Sequence, residues 1–291
     1  MSLNESVPAK PFHFKPHGYL GILLIIFAEI AIILQHRFPM AREISIWTTP
    51  ICWWGYILVL DAIIYKLKGE STIVDHPRDF MAMLFLSLLF WLIFEVYNLY
   101  LRNWKYIGLP RNPVITALGM VLSFATIMPG IFFTAEILEI IGIFKRIKIA
   151  RLKVTNKMIY SGIWIGLLFL ILPLLIKQSY AGYLFAFVWT GFVFLLEPIN
   201  YASRTESLLR DLEAGELHRI LSLFVAGLIC GLLWEFWNYW AATKWVYMAP
   251  FTMDVRIFEM PAAGFLGFGP FAWEYFSMYY FVRLFRFDRG V

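Results

Sequence analysis

The sequence predicts an all-α polytopic membrane bundle, with about eight transmembrane helices in two parallel four-helix repeats. Three observations carry that prediction. The chain is 60% hydrophobic, 19% aromatic and only 15% charged, well outside the range of water-soluble domains. Apolar runs long enough to cross a bilayer recur along its whole length. One motif is written twice, about 140 positions apart. It reads Phe94-Glu95-Val96-Tyr97-Asn98 with Trp104, Tyr106 and Pro110 following, then Trp234-Glu235-Phe236-Trp237-Asn238 with Trp245, Tyr247 and Pro250 following.

In chain order, residues 1–17 form an N-terminal tail, and the first repeat (18–145) holds spans near 18–35, 49–66, 80–101 and 114–141. Lys10 and Lys15 precede the first span, but Gln35-His36-Arg37-Phe38-Pro39 follows it in place of a small-residue cleavage site, so it is expected to be retained. Trp53, Trp54 and Asp61 dilute the second span, and Pro129-Gly130 is expected to kink the long fourth one. A basic linker, 146–155, leads to the second repeat (156–291), with spans near 159–176, 182–200, 219–240 and 262–285. In the last of these the glycines permit close helix contact, and Pro270 frees a backbone carbonyl a few residues before Glu274.

Eight spans bring both termini to one side, together with Lys66, Lys68, Arg78, the cluster Lys145, Arg146, Lys148, Arg151, Lys153 and Lys157, and then Arg204, Arg210, Arg219 and Arg283. The other side holds fewer basic residues, so the positive-inside rule makes both termini cytoplasmic. The formal charge of +5 therefore reads as a topology signal and as contact with anionic lipid, not with nucleic acid.

The doubling extends past its main motif. Gly55, Asp61, Tyr65, Glu70, Ser71 and Asp75 match Gly191, Glu197, Tyr201, Glu206, Ser207 and Asp211 at one offset, and Glu136 pairs with Glu274. Parallel repeats are related by an axis along the membrane normal, with sites between the halves. A carboxylate in hydrocarbon costs roughly 2.5–3.5 kcal/mol on insertion scales, so acids kept at matching places point to a site. Glu95 and Asn98, like Glu235 and Asn238, share one helix face, which suggests an acid oriented by a carboxamide; interhelical hydrogen bonding is the plainer alternative. The second half is richer in aromatics, which favours Glu235 as the acid. Glu259 and Glu274 are candidate partners and Glu95 is the counterpart. Trp234 and Trp237 flank Glu235 with ring faces able to stabilise a cation. Trp240, Trp245 and Tyr247 read as an interfacial belt. Asp61 and Glu197 precede Tyr65 and Tyr201 by one turn, so a tyrosine hydroxyl is expected to hold each acid.

No cofactor is expected. His13, His17, His36, His76 and His218 fall near span ends, and Cys52 and Cys230 lie singly in apolar segments, so no metal set is visible; the acids could at most hold a hard ion such as Mg²⁺. Phosphate loops, nucleophile elbows and haem signatures are missing from the sequence.

The second half also carries Trp234-Glu235, Trp245-Val246-Tyr247, Pro250, Glu259 before the last span and Pro270-Phe271-Ala272 within it. This pattern resembles the integral-membrane lycopene cyclases of carotenoid synthesis, over residues 228–285 and more faintly 88–140. A single Glu259 stands here where that family has two adjacent glutamates. The resemblance implies proton-catalysed cyclisation or hydration of an isoprenoid lipid without redox change. The intramembrane acids and repeats equally suit a proton-coupled transporter or flippase, and a lipid-binding assembly subunit is a third reading. A membrane lipid is the expected partner in each case, and the architecture allows a homo-oligomer.

Overall fold

The computed structural model describes residues 13–248 and 255–285, so Pro250 of the doubled motif lies outside the described residues. Among them, seven helical segments are long and apolar enough to span a bilayer, and the molecule is a polytopic helical membrane protein. In order these are α1 (Pro16–Leu34); then, after the short α2 (Pro39–Ser45), α3 (Thr48–Lys68); after α4 (Thr72–Asp75), α5 (Pro77–Leu101). Strand β1 (Trp104–Ile107) leads to the paired helices α6 (Pro113–Phe124) and α7 (Ile127–Ile141). The second half runs through α8 (Asn156–Leu175), the short α9 (Gln178–Ala181), α10 (Phe185–Ala202), α11 (Leu208–Ala214) and α12 (His218–Trp240). Strands β2 (Lys244–Tyr247), β3 (Arg256–Ile257) and β4 (Met260–Pro261) follow, then a 3₁₀ turn (Ala262–Gly267) and α13 (Phe268–Arg283).

The break in the fourth span falls at Ala125–Thr126, not at Pro129-Gly130 as expected. A proline ring clashes with the carbonyl four residues earlier, and for Pro129 that residue is Ala125. The interruption is therefore displaced by one turn toward the N-terminus. Pro270 acts alike, lying in the first turn of α13 just after the 3₁₀ segment.

Packing in the two halves matches element by element. Helix α1 lies along α3 as α8 lies along α10; α3 meets α7 as α10 meets α13; α5 meets α7 as α12 meets α13. Glycine permits the closest of these approaches. A Cβ on Gly21 would stand 2.4 Å from the Gly55 carbonyl oxygen, and one on Gly166 would stand 2.3 Å from the Leu195 nitrogen. Across the halves, α7 packs against α12. Cys52 and Cys230 are free, buried thiols within this packing.

The doubled acids near the face that holds the α3–α4 and α10–α11 turns have matching partners too. Asp61 accepts from the Ser71 hydroxyl (2.8 Å) and the Ile73 N–H (2.9 Å). Glu197 accepts from the Ser207 hydroxyl (2.8 Å), the Leu208 N–H (2.6 Å) and the Ser277 hydroxyl (2.9 Å). Each acid thus satisfies otherwise unpaired donors at the start of a short helix, α4 or α11. The tyrosine expected to hold Glu197 does something else: the Tyr201 hydroxyl donates to Glu213 at 2.8 Å. Asp61 also has His17 beside it, whose Nε2 lies 3.0 Å from Oδ2.

Candidate functional site

The site begins with how α5 and α12 end. Helix α5 stops where Arg102 turns left-handed (φ 55°), and the chain then runs extended as β1. The Asn98 side chain takes the strand in hand. Its Nδ2 donates to the Trp104 carbonyl (2.9 Å), and its Oδ1 accepts from the N–H groups of Asn103 (2.8 Å) and Trp104 (3.2 Å). Asn238 repeats the arrangement on β2, donating to the Trp245 carbonyl (2.9 Å) and accepting from the Trp245 N–H (2.8 Å). The carboxamides therefore act as peptide mimics for the strand backbone. They do not touch the glutamates they were expected to orient, because the strand offers a donor and an acceptor in the spacing an amide matches.

β1 and β2 pair antiparallel, Trp104 opposite Tyr247, Lys105 opposite Val246, Tyr106 opposite Trp245. Strand alternation puts Trp and Tyr of each Trp-x-Tyr on the same face. That face meets the glutamates. Tyr106 donates to Glu95 Oε1 at 2.5 Å, joined there by the indoles of Trp91 (2.8 Å) and Trp104 (3.2 Å). Tyr247 donates to Glu235 Oε1 at 2.7 Å and itself accepts from the Trp245 indole at 3.0 Å. Burial and the adjacent carboxylates hold both phenols far above their ordinary pKa, so both stay protonated donors. Tyr247 and Trp245 thus belong to the site and not only to an interfacial belt. The signal was in the sequence: Trp-x-Tyr twice, with the period of a strand.

The two glutamates differ in burial, Glu235 being fully buried and Glu95 partly exposed, and in the donors around them. Four residues before Glu95 stands Trp91, which supplies a hydrogen bond; four before Glu235 stands Gly231. A Cβ on Gly231 would lie 2.1 Å from the Phe268 ring, which occupies the space an indole would need. Glu95 is therefore saturated at one oxygen. Glu235, fully buried, keeps Oε2 without a hydrogen bond among the described residues.

Glu235 lines a cavity of about 130 Å³ under the strand pair, between the two halves. A single water needs roughly 10–15 Å³ by the same measure, so the space is generous. Its wall carries six indoles (Trp47, Trp91, Trp104, Trp189, Trp234 and Trp245), the phenols Tyr106 and Tyr247, and the rings of Phe124, Phe268 and Phe271. Trp234 and Phe271 meet edge to face at 6.1 Å, and Trp189 leans on Phe271 at 5.7 Å. Helix α6 forms the remaining side, with Ile115, Gly119 and Met120 lining the cavity while Val114, Leu118 and Val121 are exposed on the helix.

Among the described lining residues Glu235 is the only carboxyl. Glu259, a candidate partner for Glu235, is paired with Lys244 (2.5 Å) and lies 3.9 Å from Arg256. Glu274 is fully buried away from the cavity wall, with Oε1 3.3 Å from the Phe192 N–H. Trp237 turns to the far side of its helix, where its indole donates to Glu29 (2.8 Å) and packs on Trp53. Asp61, Glu197 and Tyr201 lie outside the cavity wall. No group of three or more His, Cys, Asp or Glu side chains suited to a metal occurs among the described residues.

No protein-family model, no curated protein and no solved structure matches this chain.

Proposed function

We propose that the protein is a membrane enzyme that protonates an isoprenoid-like lipid in the aromatic cavity, with Glu235 as the acid. The observation that carries the reading is the buried Glu235 carboxyl, one oxygen held by Tyr247 and the other without a partner among the described residues, in a wall rich in aromatic rings. Lys244, in the same wall, is taken up by Glu259 and leaves Glu235 without a paired cation among the described residues.

The chemistry follows from those groups. Glu235 gives its proton to one carbon of an alkene, whose π electrons form the new C–H bond and leave a carbocation on the neighbouring carbon. A second double bond of the same chain attacks that cation to close a ring. An adjacent carbon then loses a proton to the Glu235 carboxylate, which restores the acid and a double bond. No electrons are gained or lost overall. Ring faces stabilise the cation between these steps, each by about 0.5–2 kcal/mol. One carboxyl serves as acid and then base, in place of the two first expected, because Glu259 is ion-paired and Glu274 stands outside the wall.

The test uses purified protein in lipid nanodiscs supplied with linear polyenes such as lycopene, with products followed by mass and absorption. Cyclised or hydrated product from the wild type, and none from Glu235→Gln, is the expected result. Gln keeps an acceptor for Tyr247 while removing the proton, so equal turnover by wild type and variant would refute the assignment.

A further inference from the structure

A second depression of about 470 Å³ adjoins the aromatic cavity at the same face of the bundle, and Lys244 belongs to both walls. Its character is opposite. Gln35, His36, Arg42, Lys244 and Glu259 supply polar walls, and Tyr239 and Trp240 supply rings. Arg42 makes no ion pair with the described residues, and Glu43, its exposed neighbour on α2, is not part of the wall. Among the described lining residues Glu259 is the only acid, and Lys244 neutralises it, with Arg256 3.9 Å away. The basin therefore keeps a net positive charge from Arg42, to which His36 adds when protonated.

Its surroundings place it at the level of lipid headgroups. It lies at the ends of α1 and α12, beside Tyr239 and Trp240, whose rings meet edge to face at 4.8 Å and are 39% and 47% exposed. Such half-exposed aromatic residues at helix ends mark the membrane–water interface. Phe38 and Met40, next to the basin, are 55% and 77% exposed, as expected for side chains that enter the acyl region. The basin floor is rigid: Gln35 donates to the Trp240 carbonyl (2.9 Å) and accepts from Ser45 (3.0 Å). A fixed polar floor and a guanidinium unpaired among the described residues, bordered by apolar side chains, match a phosphate attached to an acyl or prenyl chain.

We infer that this basin is a subsite for the phosphate headgroup of an anionic membrane lipid, seated on Arg42 beside the aromatic cavity. The inference does not depend on the proposed reaction: the lipid held there can be substrate or a structural companion.

The experiment uses the full chain purified in detergent, exposed to equimolar phosphatidylglycerol and phosphatidylcholine, with retained lipid read by native mass spectrometry. A photoactivatable phosphatidylglycerol maps the contact. Wild type should retain phosphatidylglycerol in preference and cross-link within 35–45 or 239–244. Arg42→Gln should lower retention about five-fold, the effect of one basic residue near a lipid surface, while Lys153→Gln on the linker should leave the mapped cross-link unchanged. Arg42→Lys should restore part of the retention. Glu235→Gln should retain the lipid like wild type, which separates this site from the acid chemistry. Arg42 is exposed, so its variants are expected to remain monodisperse on size exclusion. Wild-type retention and cross-linking in Arg42→Gln would overturn the inference. Full displacement by millimolar inorganic phosphate would overturn the lipid assignment, pointing to a free anion.

Discussion

Replacing Asn238 by Ala distinguishes an amide that orients an acid from one that holds a strand pair together. Asn238 is fully buried and makes two hydrogen bonds to Trp245, one to its carbonyl and one from its N–H. Truncation removes both and strands a backbone donor and acceptor in a dry setting. A buried polar group left unsatisfied costs about 1–3 kcal/mol, so the variant should lose about 2–4 kcal/mol of local stability once partial relaxation is allowed for. The loss should be local. β2 pairs with β1, so amides of 104–107 and 244–247 should exchange at least ten-fold faster, while α1 and α8 amides are unchanged. Asn238→Asp keeps the acceptor for the Trp245 N–H but loses the donor to its carbonyl, and should fall between Ala and wild type. Hydrogen exchange by mass spectrometry on the protein in nanodiscs reads all of this. Unchanged protection of the β1–β2 pair in Asn238→Ala, with catalysis or ligand binding alone affected, would refute the structural role assigned to the amide.

Other variants probe the remaining features. Glu197→Ala strands the Ser207 and Ser277 hydroxyls and the Leu208 N–H, and should cost about 3 kcal/mol or more in thermal unfolding; Glu197→Gln should cost clearly less. Trp91→Phe removes one of three donors to Glu95 and should destabilise by about 1–2 kcal/mol without abolishing turnover. Gly231→Ala drives a methyl into the Phe268 ring and should cost about 1–3 kcal/mol while narrowing the cavity, seen as weaker binding of bulky polyenes than of short ones. The linker contact should respond to acid. Lys148 hydrogen-bonds Glu216 at 2.8 Å and holds its carboxyl below the ordinary range. A depressed folded pKa contributes order above the unfolded value of about 4.3 and loses it as pH falls through the lower folded value. Pepsin cleavage near 145–157 should therefore accelerate below about pH 4, and Glu216→Gln should cleave at the fast rate throughout.

Much of the architecture was legible in the sequence because bilayers impose simple rules. A span must be long, apolar and internally hydrogen-bonded, so run length alone located seven of the eight expected spans among the described residues; the last, 262–285, is a 3₁₀ turn followed by the shorter α13. The doubled Glu-x-x-Asn motif was legible for the same reason: acids in hydrocarbon are too costly to recur without use. Equivalent partners for Asp61 and Glu197, both serines ten residues on, follow from that doubling.

Only the tertiary structure decided which groups meet. Helical spacing puts Asn98 near Glu95 and Asn238 near Glu235, yet each amide binds the following strand, because strand backbone offers two matched groups and the acid offers none it needs. Trp237 is adjacent to the acid in the sequence but faces α1, where Glu29 accepts its N–H. Tyr247, twelve residues beyond Glu235, becomes its hydrogen-bond donor through a reversal of the chain that no span rule describes. The asymmetry between the two acids depends on Phe268, from another helix, filling the space beside Gly231. Local pattern determined the spans, since bilayer solvation acts on every residue independently; the site depended on contacts among residues far apart in the chain, which are set only when the two halves close around the strand pair.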